Sequence, residues 1–139
     1  MYKVENRAGK LVEVRLASPL NLDEVQQFIQ AMVGVMQKID GKYVGAVDML
    51  DAHVFPAAVA DQLSQLLAGA SPRVERTALL IGTSAVFGLQ VERVIRDAAN
   101  PNRRVFRNAR EMETWLGEAL TPMEKTRLAA FVNEIEARH

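Results

Sequence analysis

The sequence has 139 residues, 49% of them apolar and 24% charged, with 17 basic side chains balanced by 17 acidic ones. That length favours one domain around one core, and zero net charge leaves no broad electrostatic footprint for nucleic acid or an anionic membrane. The absence of cysteine excludes disulfides, thiolate zinc sites, iron–sulfur clusters and cysteine nucleophiles.

Residues 2–4 and 11–16 read as two short strands, joined by the polar stretch Asn6-Arg7-Ala8-Gly9-Lys10. LVEVRL nearly alternates, as a strand with one wet face does, so the opening is expected to be a β-hairpin. Residues 21–39 follow as a helix. Asn21 is its N-cap and Glu24 completes a capping box. Val25, Phe28, Ile29, Met32, Met36 and Ile39 form its apolar stripe, and Gly41 stands near the end to terminate it. Met32, Val33, Val35 and Met36 exceed one narrow stripe; such Met-rich faces serve core filling more often than adaptable binding.

The run from Tyr43 to Val47 or Met49 is nearly continuous and apolar, which suits an interior strand covered on both faces. A helix over residues 56–68 starts at Pro56 and buries Val59, Leu63, Leu66 and Leu67. TALLI, residues 77–81, is a second interior strand. Residues 85–99 form a helix with Phe87, Val91, Val94, Ile95 and Ala98 inward, and with Val86 and Leu89 left over on other faces. RVFR, residues 104–107, is a short strand. Asn108 and Glu111 open a further helix, and Thr121-Pro122-Met123-Glu124 opens the last one, to about residue 137, with Leu128, Phe131, Val132 and Ile135 on one face. The order β-β-α-β-α-β-α-β-α-α implies an α/β fold: a mixed β-sheet that opens with an antiparallel hairpin and continues in βα units, helices packed on the sheet.

The strings YVGAVDMLDA, TALLIGTSAVFG and RRVFRNAREMETWL, in this order, resemble the SpoIIAA-like family, which shares the fold of the STAS domains and overlaps in name with SEC14-like lipid-binding proteins. The resemblance covers residues 1–120 and leaves residues 121–139 as a C-terminal helical extension. It implies a protein-binding module. In STAS domains proper, binding is often switched by phosphorylation of a Ser or Thr at the start of the helix after an interior strand. Here Asp51 is the nearest match to the motif's Asp, Ala52 and His53 stand where hydroxyls would be, and no Ser or Thr occurs between Tyr43 and Asp61. Phosphate control at this loop is therefore not expected.

Asp48, Asp51 and His53 are the one acid–base cluster at a strand end. A His beside a carboxylate can act as an oriented general base, and three such groups are the minimum for a catalytic metal. No nucleophile accompanies them: Ser84 lacks a G-x-S-x-G elbow, and Gly82-Thr83-Ser84 is not a P-loop. The commoner role of such residues is to accept hydrogen bonds from loop and helix-start amides. Arg103, Arg104, Arg107 and Arg110 read as a solvated edge or, more sharply, a patch for an acidic partner.

The expectation is a cytoplasmic, non-enzymatic interaction module, regulatory or scaffolding, without cofactor or metal. It would bind a protein partner or itself through Val86, Leu89, Arg103, Arg104, Arg107 and the terminal-helix residues Leu128, Phe131, Val132 and Ile135. The first alternative is binding of a small apolar ligand or lipid between the sheet and its helices. The second is an enzyme built on Asp48, Asp51 and His53.

Overall fold

Where apolar residues recur every second position the chain pairs into strands, and where they recur every third or fourth it coils into helices. A computed structural model describes all 139 residues. The elements are β1 (Tyr2–Ala8), β2 (Leu11–Leu16), α1 (Leu22–Gln37), β3 (Tyr43–Asp48), α2 (Ala57–Ala70), β4 (Val74–Leu80), α3 (Ala85–Ala98), β5 (Arg103–Phe106), α4 (Ala109–Gly117) and α5 (Pro122–Arg138), with a 3₁₀ turn at Ser71–Arg73. The order matches the sequence reading, and the general α/β architecture, a mixed sheet with helices packed on it in βα units, is present.

The strands lie in the order β1-β2-β3-β4-β5. β1 is antiparallel to β2, and every later pair is parallel. Each crossover thus steps in one direction, and crossovers of one hand then place their helices on one face. Val12, Val14, Leu16, Tyr43, Leu79 and Ile81 point to that face and pack against Val25, Phe28 and Met32 of α1, Val59 of α2, and Phe87 and Val91 of α3. The alternate residues Leu11, Val44, Ala46, Ala78 and Leu80 point the other way. They meet Met112 and Leu116 of α4 and Leu128, Phe131, Val132 and Ile135 of α5.

This placement corrects the reading of α5 as a partner surface. Leu128, Phe131, Val132 and Ile135 are at most 6% exposed and make up a third of the 12-residue core on that face. The helix is also tied down by polar groups. Arg127 Nε and Nη2 each donate to Glu13 at 2.8 Å, which raises the guanidinium pKa above its ordinary value, and Arg138 pairs with Asp48. The first turn forms the expected capping box, Thr121 with Glu124. Glu124 also accepts from the backbone N–H of Lys10 at 2.8 Å. Gly9 beside it is required twice over: its φ is +50°, and a Cβ there would run into the Glu124 carboxylate.

Two strands begin or end where charge had obscured them. β1 continues to Ala8, through Asn6 and Arg7; as an edge strand it keeps polar residues in water, and the Asn6 amide donates to Gly9 O and Leu11 O to close the turn. β4 starts at Val74 rather than at Thr77. Its Arg76 lies over the Trp115 ring, 4.9 Å from the centroid, so the charge is carried on an aromatic cover.

Two outcomes are expected. Deleting residues 121–139 removes four core side chains worth roughly 1.5–3 kcal/mol each, against a net stability of about 5–15 kcal/mol for an ordinary domain. The shortened chain should show no cooperative thermal transition by circular dichroism; a retained transition would contradict the role of α5 as a core element. The second concerns Glu124. Burial pushes its carboxyl upward, but the backbone N–H groups of Thr121 and Lys10 and the Thr121 hydroxyl outweigh this and hold it below its ordinary value. A lowered folded pKa stabilises above the unfolded pKa and is lost as pH falls through the folded one. Glu124→Gln should therefore cost about 1.5–3 kcal/mol near pH 7, and urea denaturation should show this gap shrinking as pH drops below about 4.5.

Candidate functional site

Asp48 ends β3 on the α5 side of the sheet. It is 1% exposed, accepts from Leu50 N at 3.0 Å, pairs with Arg138 and lies 3.7 Å from Arg15 Nε. Asp51 is held by Arg15 Nη2 at 2.5 Å, with His139 Nε2 3.5 Å away. The Arg15 hydrogen bond lowers its carboxyl pKa, burial opposing. His53 stands apart. Its backbone N–H donates to Ser18 Oγ at 3.0 Å, and its exposed side chain meets neither aspartate. The expected trio is therefore not assembled: both carboxylates are held by arginines, and no three His, Cys, Asp or Glu side chains converge as metal ligands.

The arginines diverge rather than forming one patch. Arg103 is buried, donating to Leu67 O at 2.6 Å and to Ser71 Oγ at 3.2 Å. Arg104 lies over Trp115, 5.0 Å from the ring centroid. Arg107 donates to Gly82 O, and Arg110 binds Glu113, Asn133 and Glu136. Ser84 caps α3 by accepting from Phe87 N. Val86 and Leu89 are 66% and 68% exposed, so of the named partner candidates these two are free apolar surface.

A different site emerges on the three-helix face. α2 packs against α1 and α3 at its sides and meets the strands through Val59, Leu63 and Leu66. Its sequence, AAVADQLSQLLAGA, explains this: small residues fill much of it, only Val59 and Ala70 are buried, and Leu63, Leu66 and Leu67 are half-buried. The strands opposite are also low. Gly45 is paired in register with Thr77, and Thr77 with Arg103, so these three form one row across the sheet. Small groups on roof and floor leave a cavity of about 80 Å³, lined by 19 residues of which 16 are hydrophobic. One water needs roughly 10–15 Å³ of such space and two to four polar partners. The room exists here, while polar groups are few on the wall, so most of the space suits an apolar group.

The polar residues on the wall behave differently at its two ends. Gln90 of α3 is engaged at both amide atoms: its Oε1 accepts from Phe55 N and its Nε2 donates to Phe55 O, both at 2.9 Å. At the other end, Thr77 Oγ1 is buried with no hydrogen-bond partner. It leans over Gly45, where a Cβ would lie 3.2 Å from it and 3.4 Å from Tyr43 Cε2. The Tyr43 hydroxyl faces Thr77 and Arg103, and burial pushes its pKa up against the pull of Arg103. Arg103 Nε is likewise buried without a partner, and burial, opposed only by Tyr43, pushes the guanidinium pKa down.

Sequence reasoning passed over Gly45, Tyr43 and Thr77. The available signal was a glycine and a hydroxyl at inward positions of two adjacent interior strands, visible only once their register is known. No protein-family model and no curated protein matches the sequence, and no helix is long and apolar enough to cross a membrane.

One stability test follows. An unpartnered buried hydroxyl costs about 1–3 kcal/mol, and an apolar replacement of similar shape removes that cost. Thr77→Val should therefore raise the stability of the empty protein by about 1–2 kcal/mol in urea denaturation. A loss of stability would mean that Thr77 is satisfied in the native protein.

Proposed function

We propose that this chain binds a small, largely apolar molecule in the cavity between the sheet and α2, with α2 as its cover. The observation that carries this reading is the cavity itself: an apolar space with one unsatisfied polar end, roofed by the least buried of the three helices on that face. Ligand sites are typically concave, mostly apolar and fitted with a few polar groups. Covers are drawn from weakly packed elements, which open at low free-energy cost. The SpoIIAA-like family that the chain resembles overlaps in name with SEC14-like lipid-binding proteins, which motivates the same reading.

The test is a titration of the full chain with 1-decanol, followed in methyl carbon–proton NMR spectra. Shifts should concentrate on Val47, Leu63, Leu66, Leu79 and Val94, which line the cavity. Ala60→Phe, which fills the roof from α2, should abolish them while leaving the remaining spectrum folded. Shifts scattered over the surface, or unchanged in Ala60→Phe, would refute the reading.

A second reading, a STAS-like interaction module, rests on Val86 and Leu89. They are three residues apart on one exposed side of α3, and adjacent exposed apolar side chains suit self-association. Sedimentation velocity of the wild type should then give a dimer mass that Leu89→Glu reduces to that of the monomer. A monomeric wild type would rule out self-association through this face.

A further inference from the structure

Building on the reading of the cavity as a ligand site, we infer that its ligand carries an anionic head, a carboxylate on an apolar chain, seated at the Tyr43–Thr77–Arg103 end. Three features of that end point the same way. Thr77 lines the cavity, is only 4% exposed and has a hydroxyl with no partner, free to donate. Tyr43 lines the cavity beside it, its hydroxyl turned to Thr77 and Arg103. Behind them lies Arg103, 5% exposed, a cation with no carboxylate to balance it. Arg73 adds a further positive charge near Tyr43; its Nε donates to Gly41 O and its Nη2 to Met36 O and Ile39 O.

The alternatives fit less well. A water would face hydroxyls on one side and 16 hydrophobic residues around the rest of the wall. A neutral alcohol or ketone would satisfy Thr77 and leave the arginine charge unbalanced. Buried charges are normally paired, and an acceptor that is itself charged takes hydrogen bonds about twice as strong as a neutral one. Arg103 is held in place by Leu67 O and Ser71 Oγ at the last turn of α2. The positive charge is thus fixed to the same helix that roofs the cavity. Gln90, elsewhere on the wall, is engaged with the Phe55 backbone through both its amide oxygen and its amide nitrogen and carries no charge, so the apolar chain points away from the Arg103 end.

The experiment compares decanoate with 1-decanol, two probes that differ in the head alone, on the full chain at pH 7.5. Wild type should bind decanoate about tenfold or more tightly than decanol. In the double variant Tyr43→Phe with Thr77→Val, that ratio should fall towards one. A second measurement needs no variant: carboxyl-labelled decanoate bound to wild type should titrate, by carbon NMR, below the free acid. Equal affinities for the two probes, an unchanged ratio in the variant, or a bound carboxyl titrating at or above the free acid would overturn the anionic head while leaving the cavity a binding site. If neither probe shifts the cavity methyls, the cavity reading itself fails, and this inference with it.

Discussion

The rest of the molecule depends on one topological constraint: four parallel strands laid down in sequence order. A chain that steps the same way at every crossover puts every crossover helix on the same face. α1, α2 and α3 therefore share one side, and the strands' other side, just as apolar, starts bare. Parallel sheets are stable only when both faces are covered. α4 and α5 supply the missing layer, after the last strand has been made. A C-terminal helix that looks like an appendage in the sequence supplies a third of the second core.

The two layers are closed by different means. The α5 layer is fastened by charge. Glu13 and Arg127 are 114 residues apart in sequence and form a two-point pair, and Asp48 and Arg138, 90 apart, form another. The Glu124 carboxylate serves both its own helix cap and the β1–β2 turn. The three-helix layer has no buried ion pair; it is tied by hydrogen bonds to backbone groups, from Arg73, Gln90 and Arg103, and is filled less completely. Between α1 and α3, which carry Phe28, Met32 and Phe87, α2 offers mostly alanine and half-buried leucine. A helix with so little to bury stays high over a floor that dips at Gly45.

What could be read from the sequence was what neighbours in the chain decide. Asn21, Ser84, Asn108 and Thr121 all cap the helices they precede, because a cap needs only a side-chain oxygen three residues from its donor. YVGAVD and TALL are interior strands because both their faces are apolar. What could not be read were partners brought together by register. The arginines at 103, 104 and 107 look like one patch because they are close in sequence. Period-2 alternation sends 103 to the α2 side and 104 to Trp115 on the opposite side. For the same reason Asp48 and Asp51 look free until Arg15, Arg138 and His139 arrive from β2 and the end of α5.

Two buried polar clusters, one on each face, make an instructive contrast. Asp48 is a lone carboxylate in a core, and the chain answers it fully, with two arginines and a backbone N–H. Thr77 and Arg103 are just as deeply buried, and the chain leaves a donor on each unanswered. Of three such orphan atoms in the protein, the third, Arg15 Nε, still faces the Asp48 carboxylate at 3.7 Å. Native proteins pair nearly all their buried polar atoms, with protein groups or with ordered water; Thr77 Oγ1 adjoins the cavity, and Arg103 lies behind it, facing Tyr43. A valine at position 77 would fit the apolar wall without an unpaired hydroxyl. A hydroxyl stands there instead, beside an arginine without a counter-charge, and this is the end that the proposed ligand would answer.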